Sequence, residues 1–305
     1  MKIHSYNEWD RLRSVVVGSA LGANWPADDP VFAQEAEKTA WRETPPPAGA
    51  VPDWIQQETE EDLDRLVTVL VDAGVEVLRP QPNDFVATRG MYNYCPRDRV
   101  IIAGDTVVDT AMMYPCRDQE IHYLEFLVQY GIPYRTMPRD QGLMLDAANV
   151  CRLNDDWLFL RSASGNQAAY HWLCEQFPHI RIHLCDFYAG VHIDSTICPL
   201  REGLVMLNAA RVTEDNLPSV LRSWDKIWVE DCVARDFYQY PYASKWIGMN
   251  VLSIDPDTVI VDRLQIDLIR QIQRHGLDVV PMELRHSRTL GGGFHCVTLD
   301  LHRQG

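Results

Sequence analysis

The chain has 305 residues, 28 Lys and Arg against 43 Asp and Glu, a formal net charge of −15, and 46% hydrophobic residues. That much apolar material supplies a packed core and excludes disorder as the main state, while the length fits one large domain or two ordinary ones. The anionic surplus repels phosphate backbones and anionic lipid and favours cationic ligands, so neither nucleic acid nor a membrane is an expected partner.

In chain order, the opening stretch MKIHSYNEWDRLRSVVVG carries charges where a signal peptide needs an apolar run. No later stretch reaches membrane-spanning length, and the expectation is a soluble cytoplasmic protein. Residues 23–54 are rich in proline and charge without sustained periodicity, and read as a surface excursion bordering a site. Four stretches then read as hairpins: RVIIAGDTVVDT from Arg99, NVCRLNDDWLFLRS from Asn149, CPLREGLVMLNA from Cys198 and NVLSIDPDTVIVD from Asn250. In each, a Gly, Asn, Asp or Pro cluster interrupts β-branched and aromatic residues.

A second pattern recurs between them, a helix with apolar residues at 3–4 spacing, a stop, then a strand: DLDRLVTVLVDAGVEVLRP, HYLEFLVQYGIPYRTMP, YHWLCEQFPHIRIHLCD and LIRQIQRHGLDVVPMEL. Gly74, Gly131, Pro178 and Gly276 end the helices. Hairpin, helix and strand repeat about every fifty residues, a unit too small to bury its own faces. A ring of such units, one α/β domain over residues 1–305 with cyclic pseudosymmetry and inner loops converging on an axis, is favoured over a conventional βαβ sheet.

Near the end stands LGGGFHCVTLD, residues 290–300, whose glycines suit a loop brought close to something small rather than a core strand. It presents Cys296, and a catalytic thiol needs a base from elsewhere. In YAGVHIDST, His192 and Asp194 fall two apart, on one face of an extended segment. Asp146 in LMLDAANV and Asp98 in YCPRDRV are either functional carboxylates or cap and turn residues, and Asn149 shares that ambiguity. Arg211 in LNAARV reads by default as a solvated arginine. His179 and His183 read as strand residues, because no H-E-x-x-H or C-x-x-C accompanies them and no metal is expected. The glycine run is not a dinucleotide fingerprint, and the eight scattered cysteines signal no disulfide framework.

The ordered set NEWDRLRSVVVG, PRD, LDAANV, VHIDST, SKWIGMNVL and LGGGFHC resembles the amidinotransferase family, which includes the arginine:glycine and arginine:inosamine-phosphate enzymes. The resemblance implies a five-bladed α/β propeller (pentein-like) with pseudo-fivefold symmetry, no cofactor, and outer helices through which a homodimer could form. It implies ping-pong transfer of an amidino group from L-arginine to an amine, releasing ornithine. Carried onto this chain, it makes Cys296 the nucleophile, His192 the acid/base and Asp146 the carboxylate orienting it. Asp98 and Asp194 would hold the guanidinium, and Arg211 and Ser244 the donor's α-carboxylate. The glycines would let backbone approach a flat substrate.

Departures bear on the acceptor. Asn149 stands where the glycine enzyme has a second Asp, and Ala189 and Val191 replace Asn and Met before His192. The interval between Asp98 and Asp146 is also shorter, implying an open entrance and an acceptor larger than glycine. Overall acidity favours a diamine or polyamine, with amino acids and amino sugars as the other classes. The rivals are a guanidino hydrolase of the arginine or agmatine deiminase type and a non-catalytic propeller serving as a binding surface.

Overall fold

The computed structural model describes residues 2–33, 47–120, 131–187, 190 and 192–305. The helical half of HYLEFLVQYG and the positions Ala189 and Val191 therefore lie outside the described residues.

All four hairpins form: Val100–Ala103 with Thr106–Asp109, Val150–Leu153 with Asp156–Leu160, Ile197–Arg201 with Leu204–Asn208, and Leu252–Asp255 with Thr258–Asp262, each antiparallel. Three of their turns use a left-handed residue, Gly104 at φ 61°, Asn154 at φ 63° and Gly203 at φ 80°. In each case the second hairpin strand takes a third strand alongside it in parallel: Tyr134–Thr136, Arg181–Cys185, Asp225–Val229 and Asp278–Met282 respectively. Parallel neighbours need a crossover. The crossover is the helix Gln167–Gln176 in one unit and Ile266–Arg274 in another. Before Asp225–Val229 the described crossover contains only the helical turn Ser219–Leu221, which is why the helix-then-strand pattern skipped this unit.

A fifth sheet of the same pattern joins the two ends of the chain. Arg11–Val17 lies between Thr298–Gln304, antiparallel, and Glu76–Leu78, parallel, after the helix Asp53–Asp72. That helix turns Ile55, Leu63, Leu66 and Leu70 inward at helical spacing.

The apolar core is divided into clusters, each joining two sheets. Val16 and Leu299 pack with Val100 and Ile102; Ile101 and Val108 with Val150 and Phe159; Leu158 and Leu160 with Ile197 and Leu207. Leu200 and Met206 then pack with Val259 and Val261, and Leu252 and Ile260 return to Val15 and Val17. Successive sheets share a core, and the last shares one with the first.

The 23–54 segment is less superficial than its composition implies. Asn24–Trp25 pairs with Gly49–Ala50, and Ala23, Trp25, Phe32 and Val51 are buried. Phe32 stacks on Tyr242 and meets Tyr114 edge-on, so its aromatic residues anchor the described flanks to the body. Residues 34–46 lie outside the described residues.

Candidate active site

The segments leading into the antiparallel edge strand of each of the five sheets carry Asp98, Asp146, Asp194, Asn250 and Cys296. A short helical turn or bend at each of these places lets a side chain leave the strand direction. Direct contacts tie the segments together: Ile193 N–H donates to Ala148 O at 3.1 Å, Phe294 N–H to Asn250 O at 3.0 Å, and Arg97 Nε to His295 O at 3.0 Å.

His192 lies between two carboxylates. Its Nε2 is 3.0 Å from Asp146 Oδ2, while Nδ1 lies 3.6 Å from Asp98 Oδ1. Asp146 is fixed in turn by the Met113 N–H, which donates to Oδ1 at 2.8 Å. Burial by itself disfavours the imidazolium, but the Asp98 charge and the Asp146 hydrogen bond and charge outweigh it and raise His192 to about 9. At neutral pH this histidine is an acid.

Asp98 is buried, with one oxygen held and one not. Arg117 Nη1 donates to Oδ2 at 2.8 Å, whereas Oδ1 is buried without a hydrogen-bond partner. Burial raises this carboxyl, against the opposing charges of His192 and Arg117. Arg117 is itself clamped by Glu120, Nε to Oε1 at 2.8 Å and Nη2 to Oε2 at 2.9 Å, and lies over the Tyr92 ring. A buried, unsatisfied carboxylate oxygen on a braced side chain is a costly feature that a cationic ligand would relieve.

The thiol of Cys296 is buried and donates to Asp194 Oδ2 at 3.3 Å. Asn250 Oδ1 receives the backbone N–H of both His295, at 2.9 Å, and Cys296, at 3.0 Å, which pins the nucleophile's loop. The Cys95 thiol's hydrogen bond, burial and the Asp194 charge all push the Cys296 thiol well above its ordinary range. Asp194 behaves oppositely: burial opposes its ionisation, yet the His295 hydrogen bond and charge, with the His192 charge, hold it at about 2.

Two of the glycines are required by contacts within the protein itself. A Cβ on Gly292 would lie 2.6 Å from Cys95 Sγ, and one on Gly293 would lie 2.6 Å from Asn250 Cβ. The space freed by their missing side chains is therefore filled by protein groups that support the nucleophile.

The remaining sequence candidates divide. Arg211, rather than being merely solvated, reaches the segment after Asp194, Nη1 donating to Thr196 Oγ1 at 2.7 Å and to Ser195 O at 3.2 Å. Ser244 is half-buried and precedes the helical turn Lys245–Met249 that leads to Asn250. Asn149 has a structural role, with Nδ2 donating to Ser164 Oγ at 2.8 Å. His183 lies in its strand and meets Asp156 at 2.7 Å, whereas His179 lies in the turn before that strand. Arg117, Glu120 and Cys95 escaped sequence reasoning; the only signal was the three-residue spacing of Arg117 and Glu120, which is common on any helical turn.

No family model matches the chain. It is 41% identical over 333 residues to inosamine-phosphate amidinotransferase 1 of Streptomyces griseus, covering 98% of this chain and 96% of that protein. The chain belongs to the amidinotransferase family. The solved inosamine-phosphate amidinotransferase of Streptomyces griseus superposes with a TM-score of 0.91 at 39% identity, covering 99% of this chain and 97% of that one. A more distant relative, L-arginine:L-lysine amidinotransferase of Pseudomonas savastanoi pv. phaseolicola, is 26% identical over 99% of this chain and 94% of its own length. This amidinotransferase is thus an enzyme that moves amidino groups, with an α/β fold, and no described helix is long and apolar enough to cross a membrane.

Proposed function

We propose that the enzyme transfers the amidino group of L-arginine to a primary amine larger than glycine, through an amidino-cysteine on Cys296. The observation that carries this reading is the buried Asp98 Oδ1 without a hydrogen-bond partner, 3.6 Å from the His192 ring within a cluster that also contains the Cys296 thiol and Asp194. A guanidinium is planar and permanently charged, and two fixed carboxylates match it in shape and charge. We assign Asp98 and Asp194 to that task, and Arg211 and Ser244 to the donor's α-carboxylate.

In the first half-reaction the Cys296 thiolate attacks the guanidinium carbon of arginine and the bond from that carbon to Nε breaks. His192 delivers its proton to that nitrogen, and ornithine leaves. In the second, the acceptor amine adds to the same carbon, gives a proton to His192, and the carbon–sulfur bond breaks to restore the thiolate. Asp146 orients the imidazole throughout. General acid–base help of this kind contributes roughly 10²- to 10⁴-fold. The five sheets with cyclically shared cores support a single-domain, five-bladed propeller with the site at its hub.

The protonation states fix a pH dependence. The resting pair is His192 imidazolium and Cys296 thiol, and the reactive pair, imidazolium with thiolate, has one proton fewer. The first proton leaves the pair near pH 9, so the reactive fraction grows with pH below that value. The expected kcat/KM for arginine therefore rises about tenfold per pH unit through the neutral range and levels off only near pH about 9. A profile flat across neutrality contradicts this assignment.

The acceptor is tested with labelled arginine and a panel of amines: glycine, lysine, a diamine, a polyamine and a phosphorylated aminocyclitol. Ornithine release and the mass of the guanidinylated product are the readouts. The expected result is amine-dependent turnover with glycine among the poorest acceptors. Citrulline formed without any amine would replace transfer by hydrolysis.

A further inference from the structure

We infer that His295, next to the nucleophile, is a positioning residue: its ring clamps Asp194 to a buried ion network and so holds that carboxylate in place for the guanidinium. The inference rests on the amidino-transfer reading above. His295 Nδ1 lies 2.8 Å from Asp194 Oδ2, the oxygen that also accepts from the Cys296 thiol. A carboxylate only accepts, so the ring nitrogen is the donor in this contact, as it is in the one to Glu8. On the opposite edge, Nε2 lies 3.3 Å from Glu8 Oε2.

Glu8 is a fixed point. Arg152 Nε donates to its Oε1 at 2.9 Å and Nη2 to its Oε2 at 2.8 Å, the Arg152 N–H adds a bond at 3.0 Å, and Arg97 Nη1 reaches Oε2 at 3.4 Å. Arg152 and Arg97 both pair with Asp300, which is completely buried. The His295 backbone is tied by its N–H to Asn250 Oδ1 at 2.9 Å. Main chain and both ring nitrogens are thus engaged, and the ring cannot turn without breaking one of these contacts.

The consequence concerns one carboxylate shared by two tasks. Asp194 Oδ2 faces a sulfur that becomes an anion in the reaction, and like charges at that distance repel. A donor on the same oxygen, braced from behind, keeps Asp194 ionised and stationary while the thiolate forms. A cavity of about 20 Å³, room for roughly one water, borders Glu8, Asp194 and His295, so a truncated side chain would be replaced by a mobile solvent donor rather than by nothing.

The test compares His295→Ala, His295→Asn and His295→Gln in the donor half-reaction, using arginine alone and reading the single-turnover burst of ornithine and the Cys296 adduct. Asparagine places an N–H where Nδ1 is and so keeps the Asp194 bond; glutamine reaches instead toward the Nε2 position. In His295→Ala the arginine concentration for a half-maximal burst is expected to rise about tenfold to a hundredfold, with a smaller fall in the maximal burst rate. His295→Asn should return to within about threefold of wild type, and His295→Gln should resemble alanine. An alanine variant with unchanged arginine dependence, or glutamine rescuing as well as asparagine, overturns the inference. Should the alanine variant not fold, the contrast between asparagine and glutamine decides alone. A wild-type enzyme with neither burst nor adduct overturns the amidino-transfer reading itself and the role of His295 with it, so the two failures are told apart.

Discussion

Cys296→Ser is expected to lower ornithine release from arginine by roughly 10⁴-fold or more and to abolish the covalent adduct, leaving the fold intact. The serine hydroxyl can keep the 3.3 Å hydrogen bond to Asp194 and leaves the Asn250 bond to the backbone N–H unchanged, so melting should barely move. What is lost is nucleophilicity. A thiol in this site is already pushed upward by Cys95, burial and Asp194, and an alkoxide would be far harder to form among the same carboxylates. Mass spectrometry after incubation with arginine checks both proteins. An adduct persisting in the variant, on the neighbouring Cys95 for example, would move the nucleophile and refute the assignment.

Asp98→Asn separates function from stability in an unusual direction. The carboxyl of Asp98 is raised by burial, so its ionised form costs free energy in the folded state at every pH above that raised value. Asparagine removes the charge and keeps an oxygen for Arg117, whose positive charge is still balanced by Glu120. The expected melting temperature is therefore unchanged or higher. Arginine turnover should fall about 10²- to 10³-fold, the scale of breaking one buried ion pair with the substrate. Thermal melts and steady-state kinetics on the same preparation are the measurements. A clear loss of stability would mean that the charge is structural, and undiminished turnover would remove Asp98 from the guanidinium site.

Much of the architecture was legible because its signals are local. A hairpin is specified by the residues at its turn and the alternation on either side, and all four sequence hairpins form as antiparallel pairs, two of them with a register irregularity next to the turn. The third strands following Gly74 and Gly276 were legible for the same reason, since a left-handed glycine ends a helix wherever it stands. Asp225–Val229 was missed because no helix stop announces it. The chemistry-bearing residues could be placed in the sequence, but their ordinary readings as caps and turns were equally good until a resemblance ordered them.

Arg117 shows where such reading ends. In the chain it is one of many charged residues near a short helical turn; in the fold it is buried, braced by Glu120, and gives Asp98 one satisfied oxygen and one unsatisfied. The same holds for the glycines, whose need is set by Cys95 and Asn250, residues about 200 and 40 positions away in the chain.

By itself, the sequence determined the repeated unit, the helix stops, the acidic surface and the list of groups able to do chemistry, because each depends on neighbours a few residues apart. Only the tertiary structure decided the fifth sheet, whose central strand Arg11–Val17 waits for Thr298–Gln304 at the other end of the chain. Which carboxylate is left open, which histidine becomes an acid and which thiol is held neutral were likewise decided there. Burial and charge act through space, and the groups that set them on each side chain come from different sheets.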